Sequence, residues 1–137
     1  MSDAFADKAA FLHPDFHYAV VGATTDQAKY GYRVLMDLHT AGFSVVGINP
    51  KYREIEGVTV YPTLADVPEH IDVAVFVLPP QIGVQILDQV KSLGIPRVWF
   101  QPGAEDGAVR SRIDQLGLIG SADGACIMVV RRQLARG

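Results

Sequence analysis

The sequence predicts a single doubly wound, Rossmann-like α/β domain with a mostly parallel sheet. Near-continuous apolar runs of strand length recur at 17–22, 43–48, 72–78 and 97–100. Between them, apolar residues return at helical spacing. Each run stops at a glycine, an Asn-Pro, a Pro-Pro or a Gln-Pro-Gly. Strands without polar alternation are covered on both faces, and right-handed crossovers then favour the doubly wound arrangement.

The elements follow in order. Residues 4–12 read as a short leading helix. His17 to Gly22 is the first buried strand. Val34, Leu35 and Leu38 mark a helix that Gly42 stops. Phe43 to Ile48 is the second strand and ends at Asn49-Pro50. Val58, Val60 and Tyr61 suggest a short third strand. Asp72 to Leu78 is the fourth, ended by Pro79-Pro80. Ile82, Ile86, Val90 and Leu93 form the stripe of the next helix. Pro96 precedes a fifth strand, Arg97 to Phe100. Val109, Ile113 and Leu116 mark another helix, and a last short strand lies near Leu118 to Gly120. The basic tail, Arg131 to Arg136, reads as a frayed terminus.

The chain has 137 residues, enough to bury a core without disulfide or metal staples. Its net charge of −3 argues against a nucleic-acid or anionic-membrane surface. One cysteine, Cys126, forms no internal disulfide and suits a reducing cytoplasm. Met1 to Ala10 lacks the pattern of a secretory signal, and no apolar run has the length to span a bilayer. A cytoplasmic location is the expectation.

In such a sheet a ligand binds beyond the carboxyl ends of the strands, where the strand order reverses. The uncommon residues fall there. Gly22-Ala23-Thr24-Thr25 follows the first strand. Gly22 lets a ligand approach the backbone, Thr24 and Thr25 offer hydroxyls, and the next helix presents its positive end to an anion. Lys29 adds a mobile cation. The dinucleotide fingerprint is absent, because Thr24 and Gln27 stand where Gly-x-Gly-x-x-Gly needs glycines. The second strand ends in Asn49-Pro50-Lys51, where NAD enzymes place an acid to bind free ribose hydroxyls. A lysine there favours a phosphorylated ribose, as in coenzyme A (CoA) or NADP. Lys51 also reads simply as a solvated surface lysine, with Glu54 and Glu56 near enough in sequence to blunt its field.

Further stretches extend the pattern: Lys-Tyr-Gly-Tyr-Arg-Val (29–34), Tyr-Pro-Thr-Leu-Ala-Asp-Val-Pro (61–68), Val-Leu-Pro-Pro (77–80), Val-Trp-Phe-Gln-Pro-Gly-Ala (98–104) and Ala-Cys-Ile-Met-Val (125–129). Together with Val-Val-Gly-Ala-Thr (20–24) and Gly-Ile-Asn-Pro-Lys (47–51), the ordered set resembles the small bacterial and archaeal CoA-binding protein family. That fold is also the nucleotide-binding domain of succinyl-CoA synthetase. The resemblance covers residues 16–130, leaving 1–15 as a helical lead-in and 131–137 as a basic tail. Thr24 stands where many relatives have serine, which keeps the hydroxyl.

The resemblance implies roles. Gly22 with Ala23, Thr24 and Thr25 would meet the diphosphate, flanked by Lys29 and Tyr32. Asn49, Pro50 and Lys51 would hold the ribose phosphate and one edge of the adenine. Leu78 and Pro79 would line the adenine side, and Gln101, Pro102 and Gly103 the pantetheine path. Two readings of Cys126 stand: a buried small hydrophobe, or a thiol that faces the thiol of bound CoA and forms a mixed disulfide with it.

No chemistry is legible. His13, His17, His39 and His70 match no metal spacing, and no Ser-His-Asp or Cys-His pattern is present. The synthetases also need a domain with a phosphorylated histidine, which this length does not hold. The expected function is a CoA or acyl-CoA binding module without catalysis of its own, acting as carrier, sensor or partner subunit. The rival is a small NADP-dependent oxidoreductase, and a regulatory domain working with a protein partner is a third reading.

Overall fold

The computed structural model describes residues 7–136. The start of the expected 4–12 helix and of the 1–15 lead-in lies outside the described residues, as does Gly137. Strands β1 (His17–Val21), β2 (Ser44–Ile48), β3 (Glu54–Ile55), β4 (Val58–Tyr61), β5 (Val73–Phe76), β6 (Arg97–Phe100) and β7 (Ile119–Ser121) form one sheet in the order β3-β4-β2-β1-β5-β6-β7. All neighbours are parallel except β3 and β4, which form an antiparallel edge hairpin. The order runs outward in both directions from β1, so the reversal falls between β1 and β5.

Four helices cover the two faces: α1 (Tyr30–Thr40), α2 (Pro80–Ser92), α3 (Gly107–Leu116) and α4 (Ile127–Ala135). Strand side chains alternate between faces. Ala19, Val21, Ala74, Phe76, Val98 and Phe100 meet Leu87 and Val90 of α2 and Val109 and Ile113 of α3. The Phe76 and Phe100 rings stack there with centroids 4.4 Å apart. Tyr18, Val20, Val73, Val75 and Trp99 meet Val34, Leu35 and Leu38 of α1 and Ile127 of α4. This double cover is why the strands read as unbroken apolar runs.

A 3-10 helix, Lys8–Phe11, occupies part of the expected leading helix. Buried Phe11 packs edge-on to Trp99, and its carbonyl accepts from the Tyr18 hydroxyl at 2.7 Å. Burial pushes the Tyr18 phenol up to about 12.

The sequence expectation of a frayed tail is corrected. Arg131 lies in α4, and the expected boundary at 130 falls inside that helix. Ile127 is fully buried, and Met128 and Val130 pack on the same core. Arg131 donates to both oxygens of Asp37 in α1, at 2.7 and 3.0 Å, and Arg132 reaches the same carboxylate at 3.3 Å. A nine-residue helix with three apolar contacts is not readable as an element until its partner on α1 is known. The hairpin strand β3 was also unforeseen, because two residues are too short to show a period.

Asp37 is 11% exposed and paired bidentately, so its charge matters more than in a surface pair, which is worth about 0–1 kcal/mol. Asp37→Asn is expected to lower stability by about 1–2 kcal/mol. Amide exchange should speed up in α4 more than in the sheet. Uniform acceleration, or none, would contradict this anchoring role.

Candidate ligand-binding site

The cavity that matters lies at the strand reversal. It has a volume of about 540 Å³, within the range of about 300–1,000 Å³ usual for small-molecule clefts. Three segments form its walls: Gly22 and Thr24 with Ala28 to Gly31, then Asn49, Lys51 and Tyr52, then Val77 to Pro79. These are the segments after β1, β2 and β5.

Close packing brings the first wall together. Gly22 has φ +107°, and a Cβ there would stand 2.7 Å from Val77 Cγ2. A Cβ on Gly31 would stand 2.2 Å from the Gly22 carbonyl oxygen. The first turn of α1 therefore rests directly on the loop after β1. Lys29 caps α1 without a side-chain capping bond, so the positive end of the helix opens on the cavity.

Side chains fasten the loop. The Asp26 amide donates to Thr24 Oγ1 at 3.2 Å, and the Ala28 amide to Asp26 Oδ1 at 3.1 Å. Asn49 ties the second wall to the first: its Nδ2 donates to the Ala23 carbonyl at 2.8 Å, and its Oδ1 accepts from the Lys51 amide at 2.9 Å. Asn49 thus serves the loop itself and leaves the charge to its neighbour Lys51. The Tyr52 hydroxyl sits 3.4 Å from Thr24 Oγ1 and accepts from Thr25 Oγ1 at 3.3 Å. These bonds, with the Lys51 ammonium close by, hold the Tyr52 phenol below its ordinary pKa.

The electrostatics favour an anion. Lys29 and Lys51 are exposed at the rim, and among the described residues no carboxylate pairs with either. Glu56 is occupied elsewhere, accepting from the Tyr32 hydroxyl, whose pKa that bond raises. The glycine cradle, two hydroxyls, a helix N-terminus and two cations fit a phosphorylated nucleotide, with Val77, Leu78 and Pro79 offering an apolar wall.

The family described as the CoA binding domain matches this chain over residues 17–132. The chain belongs to that family. Structural likeness agrees. A conserved hypothetical protein from Pyrococcus furiosus shares 42% identity at a TM-score of 0.79, covering 84% of this chain and 98% of its own. A Pyrococcus horikoshii protein shares 30% at a TM-score of 0.80, covering 86% and 82%. Among curated proteins, the ADP-forming acetate–CoA ligase I of Archaeoglobus fulgidus is 38% identical over 64 residues, 47% of this chain and 9% of its own length. A trans-feruloyl-CoA synthase from an unknown prokaryote is 31% identical over 103 residues, 73% of this chain and 15% of its own. The chain therefore spans a small fraction of these curated relatives.

In this CoA-binding domain the structure gathers Gly22, Thr24, Lys29, Asn49, Lys51, Leu78 and Pro79 around one cavity. Ala23 is buried beneath it, and exposed Thr25 joins through Tyr52. Exposed Pro50 lies in the same turn as Asn49 and Lys51. Tyr32 points instead to the β3–β4 hairpin through Glu56. The remaining residues lie apart, after β6 and before α4. Gln101 is fully buried, donating to Cys126 Sγ at 3.3 Å and accepting from the Ile127 amide at 2.8 Å. It thereby holds the start of α4 against the end of β6. Cys126 is the N-cap of α4 and is half-buried, so it is less enclosed than the reading of a buried small hydrophobe expects: it stands where the chain enters the helix, while the next residue, Ile127, carries the burial. Pro102 and exposed Gly103 form the turn after β6.

Sequence reasoning missed Ala28, Tyr30, Gly31, Tyr52 and Val77 as lining residues. Tyr52 had a signal, since it follows Asn49-Pro50-Lys51 directly. Tyr30 and Gly31 fall in the stretch 29–34 and Val77 in 77–80, both part of the resemblance, but the role of Gly31 needs the knowledge that α1 abuts Gly22.

No helix among the described residues is long and apolar enough to cross a membrane.

Proposed function

We propose that this chain binds CoA or an acyl-CoA in the cavity between β1 and β5 and performs no catalysis of its own, serving as a carrier, sensor or partner subunit. The observation that carries the reading is the pairing of the Thr24–Thr25 loop at the α1 N-terminus with a lysine after β2, not an acid, that no carboxylate among the described residues pairs. In this reading the diphosphate meets the hydroxyls of Thr24 and Thr25, the first turn of α1 and Lys29. The ribose phosphate meets Lys51. The adenine lies against Leu78 and Pro79, with Asn49 and Pro50 on its other side. The pantetheine arm leaves past Gln101, Pro102 and Gly103, towards Cys126. CoA supplies a thiol that carries acyl groups, and the residues named here bind and orient it. The longer relatives named above are an ADP-forming acetate–CoA ligase and a trans-feruloyl-CoA synthase, whose names carry CoA, which supports CoA as the ligand in this reading.

Thermal unfolding with CoA, 3′-dephospho-CoA, NADP and NAD at equal concentration tests the reading. A ligand at 100 times its dissociation constant adds about 2.7 kcal/mol. The midpoint should then rise by roughly 5–15 °C with CoA and by less with the dephospho form. Stabilisation by NADP or NAD alone would transfer the site to the oxidoreductase reading.

A further inference from the structure

Tyr52 has no part in the roles assigned above, yet its side chain stands in the middle of the site. It lines the cavity together with Thr24 and Lys51, and it is half-buried. Its hydroxyl oxygen lies 3.4 Å from Thr24 Oγ1 and 3.3 Å from Thr25 Oγ1, the latter donating to it. Thr25 donates to the phenol oxygen, and either oxygen of the Thr24–Tyr52 pair can donate, so two neighbouring hydroxyls converge on the place a phosphate oxygen would take.

We propose that Tyr52 is a gate on this anion subsite: its phenol oxygen occupies the position of a ligand phosphate oxygen and must withdraw before a diphosphate binds. The ligand identity, CoA, rests on the reading above; the gate itself rests on the contacts of Tyr52.

The contacts suit a gate better than a permanent strut. Both O···O separations, 3.4 and 3.3 Å, exceed the usual range of about 2.5–3.0 Å for an O–H···O bond, so these weak contacts yield readily to a charged acceptor. Among the described residues the Tyr52 amide is held by a 3.5 Å approach to the Asn49 carbonyl alone, whereas Asn49 and Lys51 are fixed by bonds of 2.8 and 2.9 Å. The Tyr52 ring packs on the apolar cluster that includes Ile55, Val58 and Val60, so withdrawal of the phenol is a small shift of Tyr52, which its weakly held amide permits while Asn49 and Lys51 stay fixed. Its ring lies 5.8 Å from Lys51 Nζ, so the gate also sits against a cation that the ligand needs. The depressed Tyr52 pKa agrees with an oxygen that receives hydrogen bonds in place of an anion. A closed gate lowers apparent affinity by the fraction of open molecules.

Tyr52→Phe removes the competing oxygen and keeps the ring. Calorimetric titration of the wild-type chain and the variant, with CoA and separately with inorganic diphosphate, tests the gate. The variant is expected to bind CoA about three- to ten-fold tighter, a gain set by freeing weak hydrogen bonds. If wild type binds CoA and the variant binds it equally or more weakly, the gate is overturned; weaker binding would make the hydroxyl a ligand contact. If neither protein binds CoA, the CoA reading fails on its own, and diphosphate decides the gate. Tighter diphosphate binding by the variant would uphold it, and equal or absent binding would overturn it.

Discussion

Gly31→Ala is expected to destabilise the domain by about 2–4 kcal/mol and to weaken ligand binding with it. The direction is informative because the same change in an ordinary helix interior stabilises by roughly 0.5–1 kcal/mol. Here the new Cβ would stand 2.2 Å from the Gly22 carbonyl oxygen and 3.2 Å from the Gly22 carbonyl carbon. Both are backbone atoms, so no side-chain rotation relieves the clash. Gly22 cannot retreat easily either, since its amide donates to the Ile48 carbonyl at 3.0 Å and its Cα side faces Val77 and Leu78. The remaining way out is for α1 to lift from the sheet. That would open the packing of Val34 and Leu35 and withdraw the helix N-terminus from the cavity. A melting midpoint lower by roughly 5–15 °C is the expected reading. A midpoint unchanged or raised would mean that α1 does not rest on the β1 loop.

Lys51→Glu should separate CoA from its dephospho form. Lys51 is exposed and makes no ion pair among the described residues, so its loss should leave unfolding nearly unchanged. Opposite charges about 4 Å apart near a protein surface interact by about 1–4 kcal/mol, and reversing the sign turns attraction into repulsion. CoA affinity is expected to fall about 30- to 100-fold, or roughly 2–3 kcal/mol. The fall for 3′-dephospho-CoA should stay within about five-fold, and added salt should narrow the gap between the ligands. Equal losses for both would place Lys51 against the diphosphate and remove its assigned role at the ribose phosphate.

The two substitutions probe information of different kinds. Lys51 was legible because its position after an apolar strand has a chemical meaning wherever such sheets occur. The same holds for Gly22 and Thr24 after β1, and for Leu78 and Pro79 after β5. Gly31, by contrast, sits inside a helix and gains its importance from a contact with another element. Tyr52 lay next to a recognised stretch, but only its approach to Thr24 and Thr25 brings it into the site.

The unforeseen parts share one physical cause. Strand β3 and helix α4 are too short to show a clear period, and the hairpin that β3 forms with β4 and the helix α4 are both tied to α1, distant in sequence. Tyr32 on α1 holds Glu56 of the hairpin, and Asp37 on α1 holds Arg131 of α4. Such pairings leave no local trace, and a basic C-terminal run looks the same whether frayed or docked.

The sequence by itself determined the layered α/β architecture and the strand ends at which a ligand is met. Those properties follow from patterning, because buried strands must be apolar throughout and turns must be made by residues that permit them. Only the tertiary structure decided which strand ends face one another. It set the reversal between β1 and β5, pressed α1 onto Gly22, and brought Tyr52 across to the threonine hydroxyls. Those relations are distances between segments far apart along the chain. They are set by how the whole core packs, and no stretch of residues records them alone.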